Sequence, residues 1–197
     1  MGVNLRVKIE KVAHGGVFVA RHEGRVIFVT GAIDGEVVDV EVTEDAGKFL
    51  RATVTNVVEA SEFRQPHFWK AAREGAGGAE FGHISLARQR ELKADVLEEA
   101  LQRMAGIELR PVVEAAPGDD EANGLGYRTR VQLHVDEAGV VGPYRERSHD
   151  VVKVRDLPLA VDEIRELEFQ NKNFQDVKKI EVAVSSTGQV QWSIDKK

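Results

Sequence analysis

The chain has 197 residues, 42% hydrophobic and 30% charged, with a formal net charge of -6 and no cysteine. That length leaves room for one large domain or two ordinary ones, and the acidic balance argues against a protein that coats nucleic acid through bulk charge. Without cysteine, these residues exclude disulfides, thiolate metal sites, cysteine-held iron-sulfur clusters and thiol nucleophiles. No secretory signal or bilayer-spanning run is visible, so no membrane partner is expected and the expected compartment is cytoplasmic.

Val3, Leu5, Val7 and Ile9 alternate with polar residues, the period-two signature of a half-buried strand, and Gly15-Gly16 breaks it. Further β-rich runs at 17–20, 25–29, 37–42 and 50–58 are separated by turns bearing Gly24, Gly31, Gly35 and Gly47. A sheet this small cannot bury its apolar face while flat, so residues 1–60 are expected to close into an all-β, OB-like barrel. Such barrels can carry oligonucleotides through aromatic and basic side chains, and Phe18, Phe28, Phe49, Arg21, Lys48 and Arg51 are candidates. Core packing is the stronger alternative for the phenylalanines.

Residues 61–84 form a connector holding Pro66, Phe68 and Trp69, then a loop rich in glycine at 75, 77 and 78. This loop lacks the lysine and hydroxyl of a P-loop, so no nucleotide site is expected there. Residues 85–197 change texture. Ser85 caps a predicted helix in which Leu92, Val96, Ala100 and Met104, widened by Leu97 and Leu101, make an apolar stripe assigned to the core before Gly106 ends the helix. Strand-like runs follow at 109–114, 127–135, 140–144 and 151–154, then a weaker helix at 161–169 and strands at 179–184 and 189–194. Residues 136–139 and Thr187-Gly188 offer hairpin turns. The expected second domain is α+β with a largely antiparallel sheet.

The six histidines, at 14, 22, 67, 83, 134 and 149, show no helical zinc spacing. Ser148-His149-Asp150 holds the residue types of a hydrolytic triad, but sequence neighbours do not converge as a triad must. The arginines are more informative. Strand alternation puts Arg128 and Arg130 on one face, and a short connection could bring Arg145 and Arg147 close. Such a group needs compensation, either by a phosphate backbone bound bidentately or by Glu137, Glu146 and Asp150. Both stay open on the residues alone.

His14-Gly15-Gly16 with Ala20-Arg21, Gly24-Arg25-Val26 with Phe28-Val29, and Asp34-Gly35-Glu36 are followed by Ser61, Arg64 and Pro66. Next come Gly126-Tyr127-Arg128-Thr129-Arg130 and Gly142-Pro143-Tyr144-Arg145 with Ser148-His149. In order and spacing these segments resemble the amino-terminal TRAM and central domains of bacterial uracil-5 RNA methyltransferases, S-adenosylmethionine-dependent enzymes acting on tRNA or 23S rRNA. Asp34 stands where the family usually has proline.

The resemblance implies a structured RNA partner, rRNA or tRNA rather than DNA, contacted by Arg128, Arg130, Arg145 and His149, with His14 and Arg21 as barrel candidates. Many members hold a four-iron cluster on cysteines; here Ala76 and Ala79 flank the Gly-Gly pair and Leu157 precedes Pro158 at the fourth position, so no cluster is expected. Packing by Phe68, Trp69 and Leu157 is the expected substitute. In the family a third domain binds S-adenosylmethionine and supplies the attacking cysteine. The chain is therefore expected to be the RNA-recognition portion of such an enzyme, a shortened chain or natural remnant without catalytic residues or cofactor of its own. The alternatives are a free-standing OB-fold RNA-binding module and a protein-interaction scaffold.

Overall fold

The alternation in the first sixty residues produces five strands: Asn4–Val12 (β1), Phe18–His22 (β2), Arg25–Thr30 (β3), Val37–Asp45 (β4) and Phe49–Glu59 (β5). The computed structural model, which describes residues 3–196, closes them into a barrel in the order β1-β2-β3-β5-β4. Only β3 and β5 run parallel. Closure depends on β1, whose residues 4–8 pair with β4 and residues 9–12 with β2, a bulge between Ile9 and Lys11 marking the exchange of partner. Val7, Ile9, Phe18, Ala20, Ile27, Val29, Val38, Val40, Leu50 and Ala52 fill the interior. Phe18 is wholly buried and so is not available for stacking.

A four-residue helix, Lys70–Arg73 (α1), precedes a long one, Leu86–Ala105 (α2). Ser85 stands at the N-cap in an extended conformation but makes no side-chain cap bond; Gly106 ends the helix in the left-handed region at φ 65°, donating to the carbonyl of Gln102. The chain divides into two units. One contains the residues up to Phe68 together with Glu80–Glu114; the other contains Trp69–Ala79 and everything from Ala115 onward. Helix α2 thus groups with the barrel, not with the α+β region to which the sequence assigns it. The reason is Leu92, fully buried in the barrel's own core with Ile84, while Val96 packs against it. The rest of the expected apolar stripe is not core: Leu97 is 47% and Met104 80% exposed.

The second unit holds Arg130–Val135 (β6), Val141–Gly142 (β7), a short helix Asp162–Arg165 (α3), Val177–Val184 (β8) and Val190–Lys196 (β9), with a 3-10 turn at Phe169–Asn171. Its sheet is antiparallel in the order β7-β6-β8-β9. Leu133, Val135, Val141, Ile164, Ile180 and Val182 belong to its core. Two expected strands are absent. Residues 109–114 contain Pro111, which has no amide to give a ladder, and Arg110 reaches instead to Asp95 and Glu98 of α2. Residues 151–154 make one isolated bridge, from Val151 to Tyr144, while Val152 and Val154 enter the core. The hairpin turns fall as expected: Gly139 at φ 80° and Gly188 at φ 78° take conformations that glycine adopts without strain.

Candidate nucleic-acid interface

Along β6 the period-two rule turns Leu133 and Val135 inward and leaves Arg130, Gln132 and His134 on the other face. His134 pairs with Gly142 of β7, where an added Cβ would collide with the carbonyl of Val152. Two residues on, the Tyr144 ring stacks on His134, centroids 3.4 Å apart and planes 12° from parallel. His149 meets Tyr144 edge-on at 5.3 Å. Burial first, then the charges of Lys179, His149 and Lys178, holds His134 below the usual histidine range. In its neutral form it accepts the 3.0 Å hydrogen bond from the Gln132 amide. His149 is among the residues singled out from the sequence, whereas Gln132, His134 and Tyr144, which the structure groups with it, are not. The signal for the first two was their alternation with Arg130.

Arg128 and Arg145 do more than display charge. Arg128 Nη2 donates to the Gly78 carbonyl at 2.7 Å, and Arg145 Nη1 donates to the Glu74 carbonyl at 2.8 Å. The two guanidiniums therefore grip opposite ends of one short loop. Inside it, the Ala76 amide donates to Ala71 and the Gly77 amide to Tyr144. Gly75 and Gly78, both at positive φ, admit the approach, since a Cβ at either would press on the neighbouring guanidinium.

Among the described residues, no carboxylate lies within ion-pair distance of Arg128, Arg130 or Arg145; only Arg147 of this group has one, Glu146 at 3.6 Å. Barrel arginines are compensated: Arg6 by Asp39, Arg21 by Glu10, Arg25 by Asp45 and Arg51 by Glu44. Among the described residues, local acids therefore do not neutralise Arg128, Arg130 or Arg145. His14 is exposed in the turn after β1, and Arg21, on β2, is 3.5 Å from Glu10. Both belong to the barrel unit, whereas Arg128, Arg130, Arg145 and His149 share the other unit.

The positions aligned with cluster ligands do not suit a cluster. Ala76 and Leu157 are buried with Trp69 in the core of the second unit, and Ala79 packs against it. Hydrocarbon fills this space and no thiolate faces it. Phe68, 38% exposed, does not join that packing; it lies beside His67 in the barrel unit.

Residues 2–55 match the model of the TRAM domain. Over 199 aligned residues the chain is 35% identical to an uncharacterized RNA methyltransferase of Streptomyces avermitilis, covering 95% of this chain and 46% of that protein. It is 33% identical over 168 residues to a 23S rRNA (uracil(1939)-C(5))-methyltransferase of Pseudomonas fluorescens, covering 84% of this chain and 37% of the relative. The fold matches the crystal structure of Pyrococcus abyssi tRNA (uracil-54, C5)-methyltransferase, solved with S-adenosyl-L-homocysteine, at a TM-score of 0.61 and 18% identity over 97% of this chain and 46% of that one. The chain carries a TRAM domain. Beyond it, the chain is homologous to one part of the RNA methyltransferases, uracil-C5 enzymes among them, and spans less than half the length of these relatives. No described helix is long and apolar enough to cross a membrane.

Proposed function

We propose that this chain is the RNA-recognition portion of an S-adenosylmethionine-dependent RNA (uracil-C5)-methyltransferase acting on structured rRNA or tRNA. Methyl transfer belongs to sequence outside these 197 residues, because addition to the uracil ring by a thiolate needs a cysteine that they lack. One observation supports the binding role above all: Arg128, Arg130 and Arg145 stand without carboxylate partners in a chain of net charge -6. Guanidiniums left uncompensated in this way suit the phosphate backbone. The His134, Tyr144 and His149 rings beside them offer flat surfaces of the kind on which splayed bases stack.

Arg130 gives the cleanest test, since it is exposed on β6 and has no structural bond to lose. Replacing Arg128 and Arg130 with alanine is expected to weaken binding to total tRNA or ribosomal RNA. It should also flatten the dependence of log affinity on log salt by roughly 0.7–0.9 per phosphate contact removed. An unchanged salt slope in Arg130→Ala and in the double variant refutes the assignment.

A further inference from the structure

The sheet of the second unit ends differently at its two edges. At one, β7 is two residues long and is shielded by the chain that follows it: Val151 bridges to Tyr144, and the Val152 amide donates to the Pro143 carbonyl. At the other, β9 runs for seven residues and, among the described residues, pairs only with β8. From Val190 to Asp195 it keeps an unbroken register against residues 179–184. No proline or bulge interrupts this stretch, and its charges, Asp195 and Lys196, sit at one end. Such an edge presents a row of backbone donors and acceptors ready for another strand.

The side chains add to that opening. Trp192 lies opposite Val182 and Ile194 opposite Ile180, both core residues, so Val190, Trp192 and Ile194 share the face that builds the core. Phe169 meets the indole edge-on at 5.7 Å, yet Trp192 stays 54% exposed and Val190 36%. The strand is also complementary to itself. Set antiparallel about a two-fold axis through Ser193, it brings Trp192 against the second copy's Ile194, Gln191 against its Asp195 and Val190 against its Lys196. Apolar side chains meet on one face, an amide meets a carboxylate on the other, and no like charges face each other.

We infer that the chain self-associates through β9, joining two four-stranded sheets into one continuous antiparallel sheet about that axis. The axis stands normal to the sheet, so the faces bearing Arg130, Gln132 and His134 lie on the same side in both copies. The two β6 strands are then five strand spacings apart, about 24 Å. Self-association stands apart from the RNA-binding reading. Its consequence, a bivalent RNA surface that gains affinity by engaging two contacts at once, rests on that reading.

The test is sedimentation equilibrium of the full chain without RNA, from about 1 to about 200 µM, where a contact of this size is expected to dissociate on the order of 10 µM. Gln191 is exposed, so charge placed there reads the register without touching the core. Gln191→Lys, facing the second copy's Asp195, should tighten association about fivefold, and Gln191→Glu should weaken it about as much. Trp192→Thr, which keeps β propensity and removes the indole, should weaken it about tenfold. A thermal melt checks the fold of each variant. A protein that stays monomeric throughout overturns the proposal and leaves the edge to a strand outside these residues. A dimer indifferent to all three substitutions overturns it as well, since the contact then lies elsewhere. Arg130→Ala should weaken RNA binding and leave sedimentation unchanged. A chain that pairs through β9 but binds no structured RNA overturns the RNA-binding reading alone.

Discussion

The carboxylate of Glu36 receives Nε and Nη2 of Arg64, 28 residues further on, each at 2.6 Å. Glu36 also accepts from the amides of Ile33 and Ser61, and Arg64 donates to the Gly31 carbonyl. Glu36 and Arg64 lie in two separate segments that support the family resemblance, and they are held together by a bond across the barrel unit.

The Glu36 side chain is wholly buried and that of Arg64 is 21% exposed. Removing one partner strands the other. Glu36→Ala is therefore expected to destabilise the barrel by about 3–5 kcal/mol, measured by denaturant unfolding. The Glu36→Ala, Arg64→Ala double variant should lose less than the sum of the singles, because the second change removes a charge already stranded. Additive losses would show that the pair is not coupled.

Acid should weaken this unit in two stages. His83, 6% exposed, has its ring nitrogen 3.0 Å from the Ala32 carbonyl, and burial pushes its pKa down to about 4. The unfolded histidine takes a proton near pH 6.5, so the unfolded state binds more protons between that value and about 4; stability is full above the window and falls through it, by on the order of 3 kcal/mol. Glu36 acts lower. Burial raises its pKa, but the bonds from Arg64 and the Ser61 amide outweigh that and hold the carboxyl below its ordinary value. Its contribution is present above the ordinary carboxylate pKa and lost as pH falls through the depressed one. Unfolding free energies measured from pH 7 to 4 should fall in the unaltered protein and stay flatter in His83→Gln; equal curves would exclude His83 as the cause.

The loop bonds of Arg128 and Arg145 predict a local effect. Arg128→Ala and Arg145→Ala should each speed hydrogen exchange at the Ala76 and Gly77 amides by roughly tenfold, the order expected for losing a charge-assisted hydrogen bond. Arg130→Ala should leave those amides unchanged. Equal protection in all three variants would show that the loop is held by packing alone.

Much of the fold was legible because it rests on local periodicity. The five barrel strands and both hairpin turns follow from alternation and glycine placement. What escaped is long-range. Nothing local to Leu92 says that α2 docks on the barrel, since an amphipathic helix reads the same whichever core receives it. The strand expected at 109–114 failed because β propensity needs a neighbour and Pro111 discourages one. At the candidate interface, Arg128, Arg130, Arg145 and His149 were visible as residues and motifs, yet the loop contacts of two of them were not. The Tyr144–His134 stack arises only when β7 pairs with β6, across a hairpin whose register the sequence leaves open.

The chain's path between the units has a practical consequence for protein engineering. Trp69–Ala79 is an excursion: the polypeptide leaves the barrel unit, contributes eleven residues to the other, and returns before departing for good after Glu114. No single scission separates the two units cleanly: a cut after Glu114 keeps the barrel unit whole but carries Trp69–Ala79 away from the second. Cutting at residue 60 or 84 would deprive the barrel of helix α2, and the cut at 84 would also strip the second unit of its glycine loop. A transplantable barrel must carry residues 80–114 with it and have the gap between Phe68 and Glu80 sewn shut by a short splice.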